Sequence, residues 1–213
     1  HQEVQTTLNQ MALNKKNTII YSNKNTINFP LLSAKHQCDN ANLVAFAMDY
    51  IQPTYKLHCQ NITDYIQHTY WPGRIQKIQQ SPDIIFDVAH NNHSLRAFID
   101  YLSNHRQLYK KTFLIIGFEE GKDIKDELPA LYSYFNYIDC TETQIRHSMP
   151  AKFLLNLYNP QNTKITINSN PLQAIQNRSH SLTKQDLLVI LGSHYFGPHI
   201  NTIYKNCFDI KYK

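Results

Sequence analysis

The stretch WPGRIQKIQQSPDIIFDVAHNN, residues 71–92, decides how the chain is read. Trp71-Pro72-Gly73-Arg74 is a turn carrying a cation, because Pro fixes φ and Gly reaches backbone angles that other residues avoid. Asp83-Ile84-Ile85-Phe86 follows Pro82 as a short apolar run, the pattern of a buried strand. Asp87, His90 and Asn91 then stand at the carboxyl end of that strand, ahead of a helical pattern over 94–108. In open α/β sheets this end of a strand is where ligands bind. Asp87 is therefore a candidate acceptor for ribose hydroxyls and Arg74 a bidentate clamp for phosphate. His90 is a candidate to orient or bind an acidic substrate. The plainer alternative has Asp87 and Asn91 capping the next helix and Arg74 in solvent.

Downstream, apolar runs at 84–86, 113–116, 135–138, 164–167 and 187–191 alternate with helical patterns at 94–108, 124–133, 149–158 and 171–181. Such alternation predicts an α/β fold, a mainly parallel sheet with helices on both faces. The short polar run at 163–167 is expected at an edge. Upstream the texture differs. A helical pattern (Val4, Leu8, Met11, Ala12) precedes strand-like segments at 18–21 and 27–29. An apolar helix over 40–51 follows, capped by Asp39 or Asn40, then a shorter helix from Ile62 to Tyr70. The boundary is placed at about residues 69–72, which gives segments 1–70 and 71–213.

With 213 residues, 42% of them hydrophobic, the chain can bury one sizeable core with an appendage. Its net charge of +5 is spread out, with no basic run of five, so nucleic acid is not the expected partner. Cys38, Cys59, Cys140 and Cys207 form no CxxC pair, so reduced thiols in a cytoplasmic protein are the simplest reading. No apolar stretch has the length of a membrane span.

Several chemistries lack their motifs. There is no GxSxG elbow, no HExxH and no GxxxxGK[ST] phosphate loop. If the chain handles ATP, another segment must grip the phosphates. Leu187 to Leu191 runs into Gly192-Ser193, where backbone N–H groups and a hydroxyl reach the same sheet edge as Asp87. Gly117 to Asp123 follows another strand in the same way, with Lys122 as either a cleft residue or a solvated one.

PGR-x-Q at 72–76, DVAHN at 87–91 and LLVILGSHYF at 187–196 together resemble the carboxyl-terminal half of the folylpolyglutamate synthase/dihydrofolate synthase family, within the Mur ligase superfamily. Lys35-His36-Gln37 with Asn40-Ala41 is similar to the HQ-x-x-NA segment of that family's ATPase domain. His1, Thr7, Met11-Ala12 and Lys16 are similar to the stretch from a magnesium-binding His to a Lys that is carbamylated in many members. Asn92 stands where the family usually has Pro, and Gly121 where an Asp often precedes Lys-Asp.

The resemblance implies a Rossmann-like carboxyl domain preceded by a remnant of a P-loop ATPase domain. It implies an ATP-dependent amide ligase that adds L-glutamate to dihydropteroate or folate through an acyl phosphate, with ATP and Mg²⁺ as cofactors. Arg74 would sit on the phosphates, Asp87 on the ribose and Asn40 at the base. His1 and Lys16 would support Mg²⁺, and His90 and Ser193 would face glutamate. The phosphate loop and most of the pterin pocket would lie outside this chain, which alone would bind ATP weakly. A cytoplasmic monomer acting on small molecules, without nucleic acid or membrane, is expected. The rival readings are a non-catalytic nucleotide- or partner-binding module and a muropeptide ligase.

Overall fold

The computed structural model describes residues 2–21, 35–56, 61–145, 147–157 and 163–209. Its centre is a six-stranded sheet. Strand β1 (Gln76–Gln79) pairs antiparallel with β2 (Asp83–Asp87). Strands β3 (Thr112–Ile116), β4 (Tyr137–Cys140), β5 (Lys164–Ile167) and β6 (Leu187–Leu191) complete it in the order β1-β2-β6-β3-β4-β5. All pairings beyond β1 are parallel. Their carboxyl ends lie level, with Asp87 opposite Leu191 and Leu191 opposite Ile116.

The side chains of the central strands alternate between two cores, as the two-residue period of a strand requires. Ile85, Leu114, Ile116, Val189 and Leu191 face one side, covered by α4 (Asn92–His105), α5 (Leu128–Tyr132) and α6 (Ala151–Leu157) through Leu95, Phe98, Leu102, Leu131 and Leu154. Ile84, Phe86, Phe113, Ile115, Leu188 and Ile190 face the other. There α7 (Pro171–His180) and α8 (Gly197–Ile203) pack through Ala174, Ile175 and Ile200. Handedness accounts for the division. The connections β2→β3→β4→β5 move one way across the sheet and use one face. The return from β5 to β6 reverses direction, and a crossover of the same hand must then use the opposite face.

That reversal positions the site. The chain leaves β2 and β3 toward the first face, but leaves β6 toward the second, into the buried Phe196 and α8. Loops that diverge from neighbouring strands open a crevice at the carboxyl end of β6. Gly192 closes its floor: its φ is +118°, and a Cβ there would stand 2.3 Å from the Gly117 carbonyl oxygen.

The mainly parallel sheet, the helices on both faces and the edge position of β5 match the sequence reading, while several boundaries move. Helix α5 is shorter than the 124–133 pattern, and β4 lies at 137–140 rather than 135–138. Strand β1 was not anticipated. Upstream, α1 (Gln2–Asn14) is followed by residues 17–21 without strand structure, so no strand forms at 18–21. The strand expected at 27–29 lies outside the described residues. Helix α2 (Lys35–Tyr55) contains the expected caps, Asp39 and Asn40, inside it rather than at its start. Helix α3 (Ile62–Gln67) packs Ile66 against Ala41 and Ala45 of α2.

Gly192→Ala should lower unfolding free energy by about 2 kcal/mol or more, through left-handed backbone strain plus the clash with Gly117. Gly197→Ala, whose Cβ would meet nothing nearer than the Phe208 ring at 4.0 Å, should be neutral or slightly stabilising. Urea denaturation of both variants checks the contrast.

Candidate active site

Asp87 ends β2 and is 6% exposed. Its Oδ2 accepts the Ile75 N–H at 2.7 Å and its Oδ1 accepts the Ala89 N–H at 2.7 Å. The Val88 N–H donates to the Gly73 carbonyl at 2.9 Å. Turn 73–75 and loop 88–91 are thus bound to one carboxylate. This corrects the expectation of an open ribose acceptor: Asp87 lies beneath the site, and each of its oxygens already holds a backbone N–H. Burial pushes its pKa up to about 6, against the two N–H donors and the charges of Arg74 and His90.

Arg74 rides on that turn, partly exposed, with no hydrogen bond or ion pair among the described residues. Gly73 permits the turn, with φ +71° and Phe86 and Val88 packed against its Cα. The Gln76 side chain holds the turn from below, accepting the Gly73 N–H at 2.8 Å and donating to the Cys207 carbonyl at 2.8 Å. Charge from Arg74 reaches His36 at the start of α2. Burial chiefly lowers the pKa of His36, and Arg74 and His93 lower it further. Asn40 is exposed one turn beyond His36, on the same side of the helix.

His90 Nδ1 lies 2.8 Å from the Val88 carbonyl. A carbonyl only accepts, so Nδ1 carries the proton of this contact and Nε2 is left without it. Asn91 caps α4 in a reciprocal box with Ser94, at 2.9 Å from its N–H. The capping alternative therefore holds for Asn91 and not for Asp87.

Ser193 reaches the same edge, its neighbour Gly192 donating N–H to the Asp87 carbonyl at 3.2 Å. Yet Ser193 is 1% exposed, and its Oγ donates to Glu119 Oε1 while accepting the Tyr195 N–H at 3.1 Å. Its hydroxyl is in use, which corrects the expectation that it faces substrate directly. Sequence reasoning missed Glu119 because its partner lies 74 residues away in the chain, beyond any local pattern. Lys122 is partly exposed in the loop after β3.

Of the two metal candidates, only Lys16 is described. Lys16 is exposed just beyond α1 with φ 53°, and His1 lies outside the described residues. Among the described residues no three His, Cys, Asp or Glu side chains converge as a metal site. A depression of about 330 Å³ lies elsewhere, at the β4–β5 edge, lined by Asp139, Thr166, Asn168 and Arg178. Its charges are already paired, since Arg178 Nε donates to Asp139 Oδ2 at 2.7 Å.

A mainly parallel sheet with helices on both faces, carrying at its carboxyl edge His90 and an Arg74 without a partner among the described residues, defines an α/β domain of Rossmann-like architecture. More particularly, residues 73–194 match the family model of the Mur ligase glutamate ligase domain, and the chain belongs to that family. Dihydrofolate synthase/folylpolyglutamate synthase of Buchnera aphidicola subsp. Baizongia pistaciae is 32% identical over 124 residues, covering 57% of this chain and 28% of that protein. The protein of that name from Escherichia coli K12 is 33% identical over 97 residues, covering 44% and 22%. Bifunctional folylpolyglutamate synthase/dihydrofolate synthase of Yersinia pestis, complexed with AMPPNP and Mn ion, shares the fold. Its TM-score is 0.67 at 20% identity, covering 86% of this chain and 42% of that one. Escherichia coli FolC in complex with DHPP and ADP gives 0.62 at 25% identity, covering 77% and 38%. The chain thus spans less than half the length of each.

An NMR titration of the Asp87 carboxyl carbon should show a midpoint near pH 6, rising further in Arg74→Ala, which removes a charge that holds the midpoint down. The folded state holds this proton more tightly than the unfolded state. The contribution of Asp87 to stability is therefore fully present below about pH 4 and is lost as pH rises through about 6. A midpoint near 4, unmoved by the variant, would contradict the burial assignment.

Proposed function

We propose that the chain is the carboxyl-terminal part of an ATP-dependent ligase that joins L-glutamate to dihydropteroate or to a folate glutamyl tail. A carboxylate is phosphorylated by ATP, the amino group of glutamate attacks the acyl phosphate, and the amide, ADP and phosphate result. The observation that carries this reading is Arg74: a guanidinium without a partner among the described residues, on the Asp87-bound turn, within the segment that matches the glutamate ligase domain. A preorganised cation at that edge stabilises charge on a transferring phosphoryl group without reorganising during reaction. His90, with Nε2 turned away from its backbone bond, is proposed for the acidic substrate. Asp87 orients both loops from below, and Asn40, on the side of α2 that shares the influence of Arg74 on His36, is proposed for the nucleotide base.

Residues 1–70 are proposed as part of an ATPase domain and 71–213 as the glutamate-ligase domain. Helix α1 supports this division, for it buries no residue and exposes Val4, Leu8 and Met11 along one side. A phosphate-gripping loop is proposed to come from polypeptide other than these residues. Mg²⁺, with His1 and Lys16 as supports, is the proposed ion, and no step is derived through it. The hinge proposed near Tyr70–Gly73 is tied to the chain's end by the Tyr70 hydroxyl, which donates to the Cys207 carbonyl at 3.2 Å. A monomer in the cytoplasm is part of the same proposal, with the unbridged thiols of Cys140 and Cys207 as support for the compartment. No described helix is long and apolar enough to cross a membrane.

In the complete protein, ADP release from ATP should require both L-glutamate and dihydropteroate or a folate. Arg74→Ala should lower turnover about a hundredfold or more. Release that requires a nucleotide-linked muramyl acceptor instead would favour a muropeptide ligase. Failure of every acceptor would favour a binding module.

A further inference from the structure

The Ser193–Glu119 contact joins the loops after β6 and β3 across the crevice. Ser193 has one proton and gives it to Glu119 Oε1, while its oxygen receives the Tyr195 N–H. Glu119 Oε2 has no hydrogen bond or ion pair among the described residues. The backbone beneath is also held. Glu119 bridges Ser148, Glu120 N–H donates to the His147 carbonyl at 2.8 Å, and Met149 N–H donates to the Phe118 carbonyl at 2.8 Å. The approach of the two loops depends on Gly192. Glu119 is thus a carboxylate with one oxygen anchored and one open, on a fixed loop at the carboxyl edge.

Two other carboxylates near that edge are engaged, and its cationic neighbours are of opposite charge. Asp87 holds two backbone N–H groups. Glu142 accepts the Ala151 N–H at 3.2 Å, at the start of α6. Arg74 suits anions, and so does His90 when charged. An amino-acid substrate is a zwitterion, so its carboxylates and its ammonium need separate partners of opposite charge.

We infer that Glu119 receives the ammonium group of the incoming amino acid, and that Ser193 acts as the positioning residue that aims it. This rests on the glutamate-ligase reading above. A charge-assisted hydrogen bond from the ammonium to Oε2 fixes the nitrogen at the crevice while Arg74 and His90 face the anionic groups. Ser193 contributes by holding one carboxylate rotamer, so that no side-chain ordering is needed when substrate arrives.

The test uses the complete protein. Glu119→Gln keeps the side chain's shape and removes its charge. It should raise KM for L-glutamate tenfold or more while KM for ATP stays within twofold. Ser193→Ala should raise the same constant by less. Glutarate, the same diacid without the amino group, should inhibit wild type and Glu119→Gln equally. An unchanged KM for glutamate, an equal loss of glutarate affinity, or a shift in metal dependence alone would each overturn the inference. Should Glu119→Gln fail to fold, Ser193→Ala decides: an unchanged KM for glutamate overturns the inference. If wild type does not ligate glutamate, the parent reading falls and takes this one with it. If wild type ligates and only the ammonium test fails, the parent reading stands.

Discussion

One carboxylate holds the functional edge of this molecule together. Asp87 is buried at the end of β2 and accepts N–H groups from both Ile75 and Ala89. Each of those amides would cost about 1–3 kcal/mol if buried without a partner, so the geometry of turn 73–75 and loop 88–91 is set jointly. Arg74 and His90 are exposed enough to meet a ligand, yet neither is free to choose its position. Charge placed this way reorganises little when a reaction begins, which is what electrostatic stabilisation requires. The burial that makes the tie firm also raises the pKa of Asp87, and Arg74 opposes that rise. The cation on the rim and the carboxylate beneath it therefore support each other.

The sheet makes that edge possible. Loops leave β2 and β3 on one face and β6 on the other, so the crevice follows from the order of the strands. Gly192 lets the loop after β6 touch the backbone of Gly117, closing the floor with main chain rather than side chains. Ser193 and Glu119 then span the same gap with a hydrogen bond. Main chain and side chains thus form one rim around the end of β6, built from segments distant in sequence.

What the residues disclosed beforehand follows the reach of each physical signal. Ile84–Phe86, Phe113–Ile116 and Leu187–Leu191 were legible because a strand buried on both faces is a continuous apolar run. Strand β1 was not: Gln76-Lys77-Ile78-Gln79 is a polar edge strand, defined by pairing with β2 rather than by its own pattern. Helix α2 runs through Asp39 and Asn40 because helix continuity outweighs a mid-sequence capping signal there. At the site, the closeness of turn 73–75 to Asp87 was legible from their joint motif. The role of Asp87 as an internal tie was not, since burial is a tertiary property. Ser193 misled for the same reason, because its partner Glu119 lies 74 residues away in the chain.

The central claim is that the carboxyl edge around Arg74, His90 and Gly192 is where this chain meets a nucleotide. The most direct measurement is a titration of ¹⁵N-labelled protein with ADP, following every backbone amide. Binding at that edge should shift Arg74, Ile75, Ala89, His90 and Gly192 together, leaving Thr166 and Arg178 at the far edge in place. Shifts gathered around Thr166 and Arg178, with turn 73–75 unmoved at saturation, would contradict the claim.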